Sequence, residues 1–441
     1  MTKIVRLLYS IIIFAAADSF FFFKSSHHFA IIPLLAAAFL LVNIAVAPFN
    51  KNIPHGRLKL CFGGTSLLVE FIVSVIFSAA YHAFLFFSSF GFPLKDFVIS
   101  ILIVCATESV VFWNGIARVY VSSVQLGIKH RVLGIIFGWV PVANIIMLCK
   151  IIRISSDEVK FESDKITLDN SRQSLQVCKL KYPVLLVHGV FFRDSSILNY
   201  WGRIPAELQK NGAVIFYGNH RSAASVKDCA AEIAKRIDDI IKDTGCEKVN
   251  IIAHSKGGLD SRYALSCLGM SDRVASLTTI NTPHRGCLFA DYLLDKLPSN
   301  IRDNIASTYN NALNKLGEPD SDFIAAVSDL TAKACTRLND EMPPFNGVFC
   351  QSFGSKLNHA SSGRFPLNFS YHLVRHFGGN NDGLVSESSF EWGQKYSFLT
   401  VKGKRGISHA DMIDLNRENI PGFDVREFYV NILSELKNLG F

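Results

Sequence analysis

Two patterns of apolar residues divide the chain. Up to about residue 150 the apolar stretches are long: residues 7–23, 29–49, 60–94, 97–121 and 131–149 each approach or exceed the ~20 residues that cross a bilayer core. Five membrane spans are expected from them. Lys3 and Arg6, followed by an apolar stretch ending in Ala15, Ala16 and Ala17, also fit a signal peptide for the first, but the later stretches bind the chain to a membrane in either case. The polar run SSDEVKFESDKITLDNSRQS (155–174) predicts a linker or a short surface hairpin. From Tyr182 onward, short apolar runs alternate with longer helical periods, the signature of βαβ units around a mainly parallel sheet. The expected organisation is therefore a helical transmembrane region over 1–153, a linker over 154–181 and an α/β domain over 182–441.

Within that domain PVLLVHG (183–189) and AVIFYG (213–218) read as buried strands, and VNIIAH (249–254), VASLTTI (274–280), FCQSFG (349–354) and YSFLTV (396–401) as the strands that follow. Val226, Ala230, Ile233, Ile237 and Ile240 recur at helical spacing between Ser225 and the stop at Gly245. Asp424 to Leu439 predicts an amphipathic closing helix. The stretch from about 298 to 344 has helical periods and no strand, and is the candidate lid.

Charge sharpens the division. Residues 1–150 carry eleven Lys or Arg against four acids (Asp18, Glu70, Asp96, Glu108), whereas 151–441 carry 34 against 33. A basic excess confined to the ends of apolar segments is what orientation in a bilayer requires. Nucleic-acid binding needs a basic face on the soluble part instead, and none is visible. Lys3, Arg6, Lys51, Arg57, Lys59, Lys129 and Arg131 fall on one side of the expected spans, against Lys24, Lys95, Lys150 and Arg153 on the other. That asymmetry places the N-terminus inside and the α/β domain on the extracytoplasmic side. Asp18, Glu70, Glu108 and Arg118 lie inside apolar stretches, where they mark either a pathway or, as preferred here, interhelical pairs. The seven cysteines beyond residue 150 show no paired spacing and no CxxC pattern, so they read as small buried hydrophobes.

The chemistry concentrates at Ala253-His254-Ser255-Lys256-Gly257-Gly258, between a strand and a helix. A serine there sits on a tight turn that exposes its hydroxyl, and small residues two positions either side keep the turn from colliding with its neighbours. Alanine replaces the usual first glycine. A non-catalytic turn is the bland alternative. A serine hydroxyl needs an imidazole to take its proton and a carboxylate to orient that imidazole, and in this fold the chain order is Ser, acid, His. Of His284, His359, His372, His376 and His409, the last follows YSFLTV by a short glycine-containing loop and precedes the closing helix. Asp382 in GGNNDGLV is the acid of choice over Asp260 and Asp411, against the alternative of an ordinary turn aspartate. His188 and Gly189 end the first strand, where the oxyanion loop belongs, and His188 is read as fixing that loop. The backbone N–H groups of Val190 and Lys256 are the expected oxyanion donors.

With HGV at 188–190, AHSKGGLDSRY at 253–263, NTPHRG at 281–286, NDGLV at 381–385 and SHADM at 408–412, residues 182–441 resemble the bacterial triacylglycerol lipases of the α/β-hydrolase fold. The resemblance implies Ser255 as nucleophile, Asp382 as acid, His409 as base and the amides of Val190 and Lys256 as oxyanion hole. It also implies a calcium ligand at Asp411, two residues after the histidine, although the second carboxylate of that pattern is missing from LNHASSGRF. No cofactor is expected. In NTPHRG, His284 and Arg285 read as holding the active-site loop.

The fold expected is thus an α/β-hydrolase domain with a helical lid behind an all-α transmembrane bundle, and the function a membrane-bound serine esterase acting on an ester, preferably a lipid. An acyltransferase or amidase uses the same triad, and a catalytically idle binding domain on a membrane transporter or sensor is the alternative from another class.

Overall fold

The structure is a computed structural model. It describes the chain apart from residues 1–2, 27–28, 46–52, 54–55, 89–90, 141, 191–198, 297, 301–302, 305–306, 308–310, 312–321 and 366. Two compact units divide it, Met1–Ser171 and Arg172–Phe441.

The first unit is helical: α1 (Lys3–Ala17), α2 (Ser19–Ser26), α3 (Ile32–Ile44), α4 (Gly56–Phe87), α5 (Leu94–Ser122), α6 (Gly127–Phe137) and α7 (Ala143–Arg172). Among the described residues, α4 and α5 are by length and composition the two helices long and apolar enough to cross a membrane, and Ile4–Ala17 and Ile32–Ile44 are shorter apolar segments. The expectation of five spans is accordingly reduced. The stretch 131–149 is broken between α6 and α7, where Val142 adopts φ 68°, and 7–23 is interrupted at Asp18. Helices α4 and α5 touch through glycines: a Cβ on Gly64 would lie 2.8 Å from the Gly115 carbonyl oxygen. Small residues let helix backbones approach where apolar surroundings give no hydrophobic drive for association.

Asp18 accepts from Ser78 Oγ at 2.5 Å and lies 3.2 Å from His82 Nδ1. Glu70 accepts from Ser10, and Arg118 donates to the Asn43 carbonyl. These three residues thus pair between helices. Residues 155–174 are not a linker or hairpin, because α7 runs through to Arg172. Ile151, Ser155, Glu158 and Val159 are buried along one face of that helix, and Arg57 Nη1 meets Glu158 Oε1 at 2.6 Å. Helical spacing of a few buried positions outweighs the polar average of the segment.

The second unit is built on a six-stranded sheet in the order β2-β1-β3-β4-β5-β6, every neighbouring pair parallel. The strands are β1 (Val184–Val187), β2 (Ile215–Tyr217), β3 (Val249–His254), β4 (Val274–Ile280), β5 (Phe349–Ser355) and β6 (Lys395–Leu399). Helices α8 (Ile204–Lys210), α9 (Val226–Thr244), α10 (Lys256–Cys267) and α11 (Leu288–Lys296) follow successive strands, and the helix Val425–Asn438 closes the unit. Side-chain alternation sorts the strands onto two cores. Val184, Leu186 and Ile252 pack with Tyr429, Leu433 and Leu436 of the closing helix. Leu185, Val187, Ile251 and Ala253 face Ile233, Ile237 and Ile240 of α9. A strand covered on both faces tends to be apolar throughout, as β1 (VLLV) is, and the buried polar residues of β3 and β4 are paired, Ser276 with Asn250 and Thr278 with Gln351.

Local signals set the ends of α9. Ser225 Oγ accepts from the Asp228 N–H at 3.2 Å, and Gly245 closes the helix at φ 69°. Part of the expected lid, 298–344, lies outside the described residues. Of its described helices, Ala332–Glu341 packs Cys335 and Leu338 against Val226 of α9 and Leu259 of α10, so this portion belongs to the body of the unit. All ten cysteines are free.

Candidate active site

Parallel pairing aligns the carboxyl ends of β1, β3, β4 and β5, with Val187 opposite Ala253, Ala253 opposite Thr279 and Thr279 opposite Ser352. The residues just beyond those ends therefore share one rim of the sheet, where open α/β sheets place ligand sites.

Ser255 follows β3 directly and opens α10 with φ 55° and ψ −131°. A left-handed backbone at a residue bearing a side chain is strained, and it is held here by the Ser255 N–H bond to the Ile280 carbonyl at 2.9 Å and by the Gly258 N–H bond to the Ser255 carbonyl at 3.1 Å. The turn is possible because Gly257 passes so close to β1 that a Cβ would sit 2.4 Å from the His188 carbonyl oxygen. Gly189 is equally confined: a Cβ there would lie 2.7 Å from Ser255 Cβ. The backbone leading into Val190 thus runs against the serine. Its position is fixed by Tyr200, whose hydroxyl accepts from the Gly189 N–H at 2.9 Å and pairs with His254 Nδ1 at 2.7 Å. His188 spans the loop from beneath, with Nδ1 2.9 Å from the Gly189 carbonyl and Nε2 3.1 Å from the His220 carbonyl.

His409 Nδ1 meets Asp382 Oδ2 at 2.6 Å, and the His409 N–H donates to the Asp382 carbonyl at 2.9 Å. Asp382 is fully buried, and its oxygens accept from Asn281 Nδ2 at 2.6 Å and from the backbone N–H groups of Leu384 and Val385 at 2.9 and 2.8 Å. Together these donors fix the carboxylate and orient the oxygen that meets His409. The His409 ring packs on the ring of His254, the neighbour of Ser255, with centroids 4.5 Å apart. Burial holds His254 neutral, well below the usual imidazole range, with His409 acting in the same direction. It therefore adds no fixed positive charge beside His409.

Lys256 contributes its backbone to the start of α10 while its side chain runs into the interior, where Nζ meets Asp260 Oδ1 at 2.7 Å and Cys229 Sγ at 3.2 Å. Asp411 does not fit a calcium ligand. Oδ1 accepts from Arg405 at 2.9 Å and Oδ2 from the Ser408 N–H and hydroxyl at 2.8 and 2.7 Å, so an arginine already neutralises the carboxylate. Asp411 instead fastens the loop that carries His409. Asn281 and Tyr200 are the site residues that motif reading left without a role. For Asn281 the available signal was its place, a polar residue immediately after the buried β4.

The family model for the α/β hydrolase fold matches residues 182–427, more than half of the chain. The chain belongs to the α/β hydrolase fold family. Among curated relatives, a triacylglycerol lipase of Pseudarthrobacter phenanthrenivorans is 33% identical over 175 residues, 37% of this chain and 54% of that protein. A triacylglycerol lipase of Burkholderia plantarii is likewise 33% identical over 175 residues, 37% of this chain and 48% of its own length. The chain thus spans about half the length of these relatives. Among solved structures, the crystal structure of Staphylococcus hyicus lipase covers 59% of this chain and 97% of its own at 18% identity and a TM-score of 0.47. The α/β-hydrolase match begins at Tyr182 and leaves the helical unit outside it.

Proposed function

We propose that this α/β hydrolase is a serine esterase that cleaves carboxylic esters through Ser255, His409 and Asp382. The observation that carries the reading is the strained turn at Ser255, whose neighbour His254 packs on the ring of His409, itself bonded to the buried Asp382. In this mechanism His409 takes the Ser255 hydroxyl proton as the oxygen attacks the ester carbonyl. Asp382 holds the Nδ1–H and stabilises the imidazolium that forms. The carbonyl oxygen gathers negative charge, which the amides of Val190 and Lys256 receive. Removing one such donor costs roughly 10²–10³ in rate. His409 then returns the proton to the departing alcohol, leaving an acyl-serine, and a water deprotonated by His409 releases the acid and restores the serine.

Lipid esters are the proposed substrate class. Two considerations support this: the curated relatives are named triacylglycerol lipases, and α4 and α5 are long and apolar enough to anchor the chain in a bilayer. The domain plan follows, with residues 1–153 as membrane region and 182–441 as hydrolase. Turnover of acyl esters of graded chain length by the full chain in detergent tests the substrate class. Long-chain esters are expected to be preferred. A sharp preference for short, water-soluble esters, or transfer to an added alcohol in place of release of the acid, overturns the lipase reading.

A further inference from the structure

Away from the proposed catalytic rim, a cavity of about 260 Å³ opens at the other end of the sheet, between α10 and the segments that lead into β5 and β6. With seven residues in β5 at ~3.3 Å each, the two ends lie roughly 20 Å apart. Met342, Pro343, Pro344, Phe345, Val348 and Trp392 give the cavity an apolar wall. Two of its polar residues are already satisfied. The Ser266 hydroxyl donates to the Pro343 carbonyl, and the Gln394 amide binds the backbone of Cys350 and Val348.

The third is Arg262, which is 8% exposed. Its Nη1 meets His284 Nδ1 at 3.1 Å, its Nη2 donates to Asn339 Oδ1 at 2.9 Å, and its guanidinium lies 4.8 Å from the Trp392 ring centre. Two neutral acceptors thus face a group with five N–H donors. Among the described residues no carboxylate pairs with it. A buried cation without an anion bears most of its desolvation cost uncompensated, and the cation–π contact offsets only part of it. Burial lowers the Arg262 pKa to about 10, with Arg285 as a lesser contributor in the same direction, and the group remains charged at neutral pH. A structural arginine that only braced His284 and Asn339 would not need a solvent-connected apolar chamber in front of it.

We propose that Arg262 and this cavity form a binding site for a monocarboxylate bearing a short apolar chain. The planar fork of the guanidinium matches a carboxylate through two parallel hydrogen bonds, and the apolar wall takes the chain. A phosphate dianion fits less well, because no second side-chain cation lines the cavity to match its other charge. The volume sits near the lower end of small-molecule pockets, roughly 300–1,000 Å³, which favours a short chain over a long one. None of the residues lining the cavity takes part in the proposed hydrolysis.

Calorimetric titration of the full chain in non-ionic detergent with sodium hexanoate tests it, with 1-hexanol reporting partition into micelles and inorganic phosphate reporting simple anion binding. One saturable site for hexanoate is expected, absent for hexanol and weaker for phosphate. Arg262→Gln should weaken it by about tenfold or more. Because that buried change can unfold the unit, Pro344→Trp, at an exposed position on the cavity wall, provides a second variant that blocks the space and leaves the guanidinium alone. It should weaken hexanoate binding similarly. No saturable site in the wild-type chain, binding undiminished in Pro344→Trp, or phosphate binding as tight as hexanoate would each overturn the proposal.

Discussion

Asn281 Nδ2 donates to Asp382 Oδ2 at 2.6 Å, the same oxygen that receives His409 Nδ1. The amide shares the carboxylate charge and fixes the direction from which the imidazole is met, and it is itself anchored by a 2.7 Å bond to Ser355 Oγ. Asn281→Ala should lower kcat by about tenfold, the worth of one ~1.4 kcal/mol interaction, with little change in KM. A stability loss with kcat unchanged would make Asn281 a packing residue only.

Gly189 has no room for a side chain, since a Cβ would lie 2.7 Å from Ser255 Cβ and 2.9 Å from the Tyr200 hydroxyl. Gly189→Ala must displace the backbone that leads to the Val190 amide. The expected result is a fall in kcat of roughly 10²–10³, the usual cost of one lost oxyanion donor. Steady-state turnover alongside thermal unfolding separates this from simple destabilisation.

His254 and His284 are both buried, and burial holds each well below the ordinary imidazole value of 6.5, His409 adding to the effect on His254 and Arg262 and Arg285 to that on His284. The unfolded chain binds protons at these positions below pH 6.5 and the folded chain does not. Their contribution is therefore fully present above 6.5 and declines as pH falls below it, by about 1.4 kcal/mol per pH unit for each residue. Thermal midpoints measured from pH 8 to pH 5 should be level at the top and fall below about 6.5. In His284→Gln the slope below that point should be about half as steep, whatever the new midpoint. An unchanged slope would assign the acid sensitivity elsewhere.

Much of this unit was legible because its signals are local. β1 and β2 are short apolar runs, the other four strands are short stretches rich in apolar and β-branched or aromatic residues, and the small residues around Ser255 announce a tight turn before any contact is known. What stayed hidden depends on distance along the chain or on averaging. Asn281 and Asp382 are 101 residues apart, and no spacing rule connects an asparagine after β4 to a carboxylate in a later loop. Tyr200 reaches the Gly189 amide only because α8 folds back under β1. The helix through Arg172 was obscured because its average is polar while Ile151, Ser155, Glu158 and Val159 still bury one face. Conversely, the uniform hydropathy of 131–149 concealed the break between α6 and α7, and Asp411 looked like a metal ligand until its oxygens were found on Arg405 and Ser408.

The central claim is that Ser255 is the nucleophile and His409 its base. Treatment of the full chain in detergent with a fluorophosphonate ester, followed by peptide mass spectrometry, tests it most directly. A single phosphonyl adduct on Ser255 is expected, abolished in Ser255→Ala and slowed by several orders of magnitude in His409→Ala, with ester turnover falling in parallel. An adduct on another residue, or ester turnover in Ser255→Ala equal to that of the unmodified chain, would contradict it.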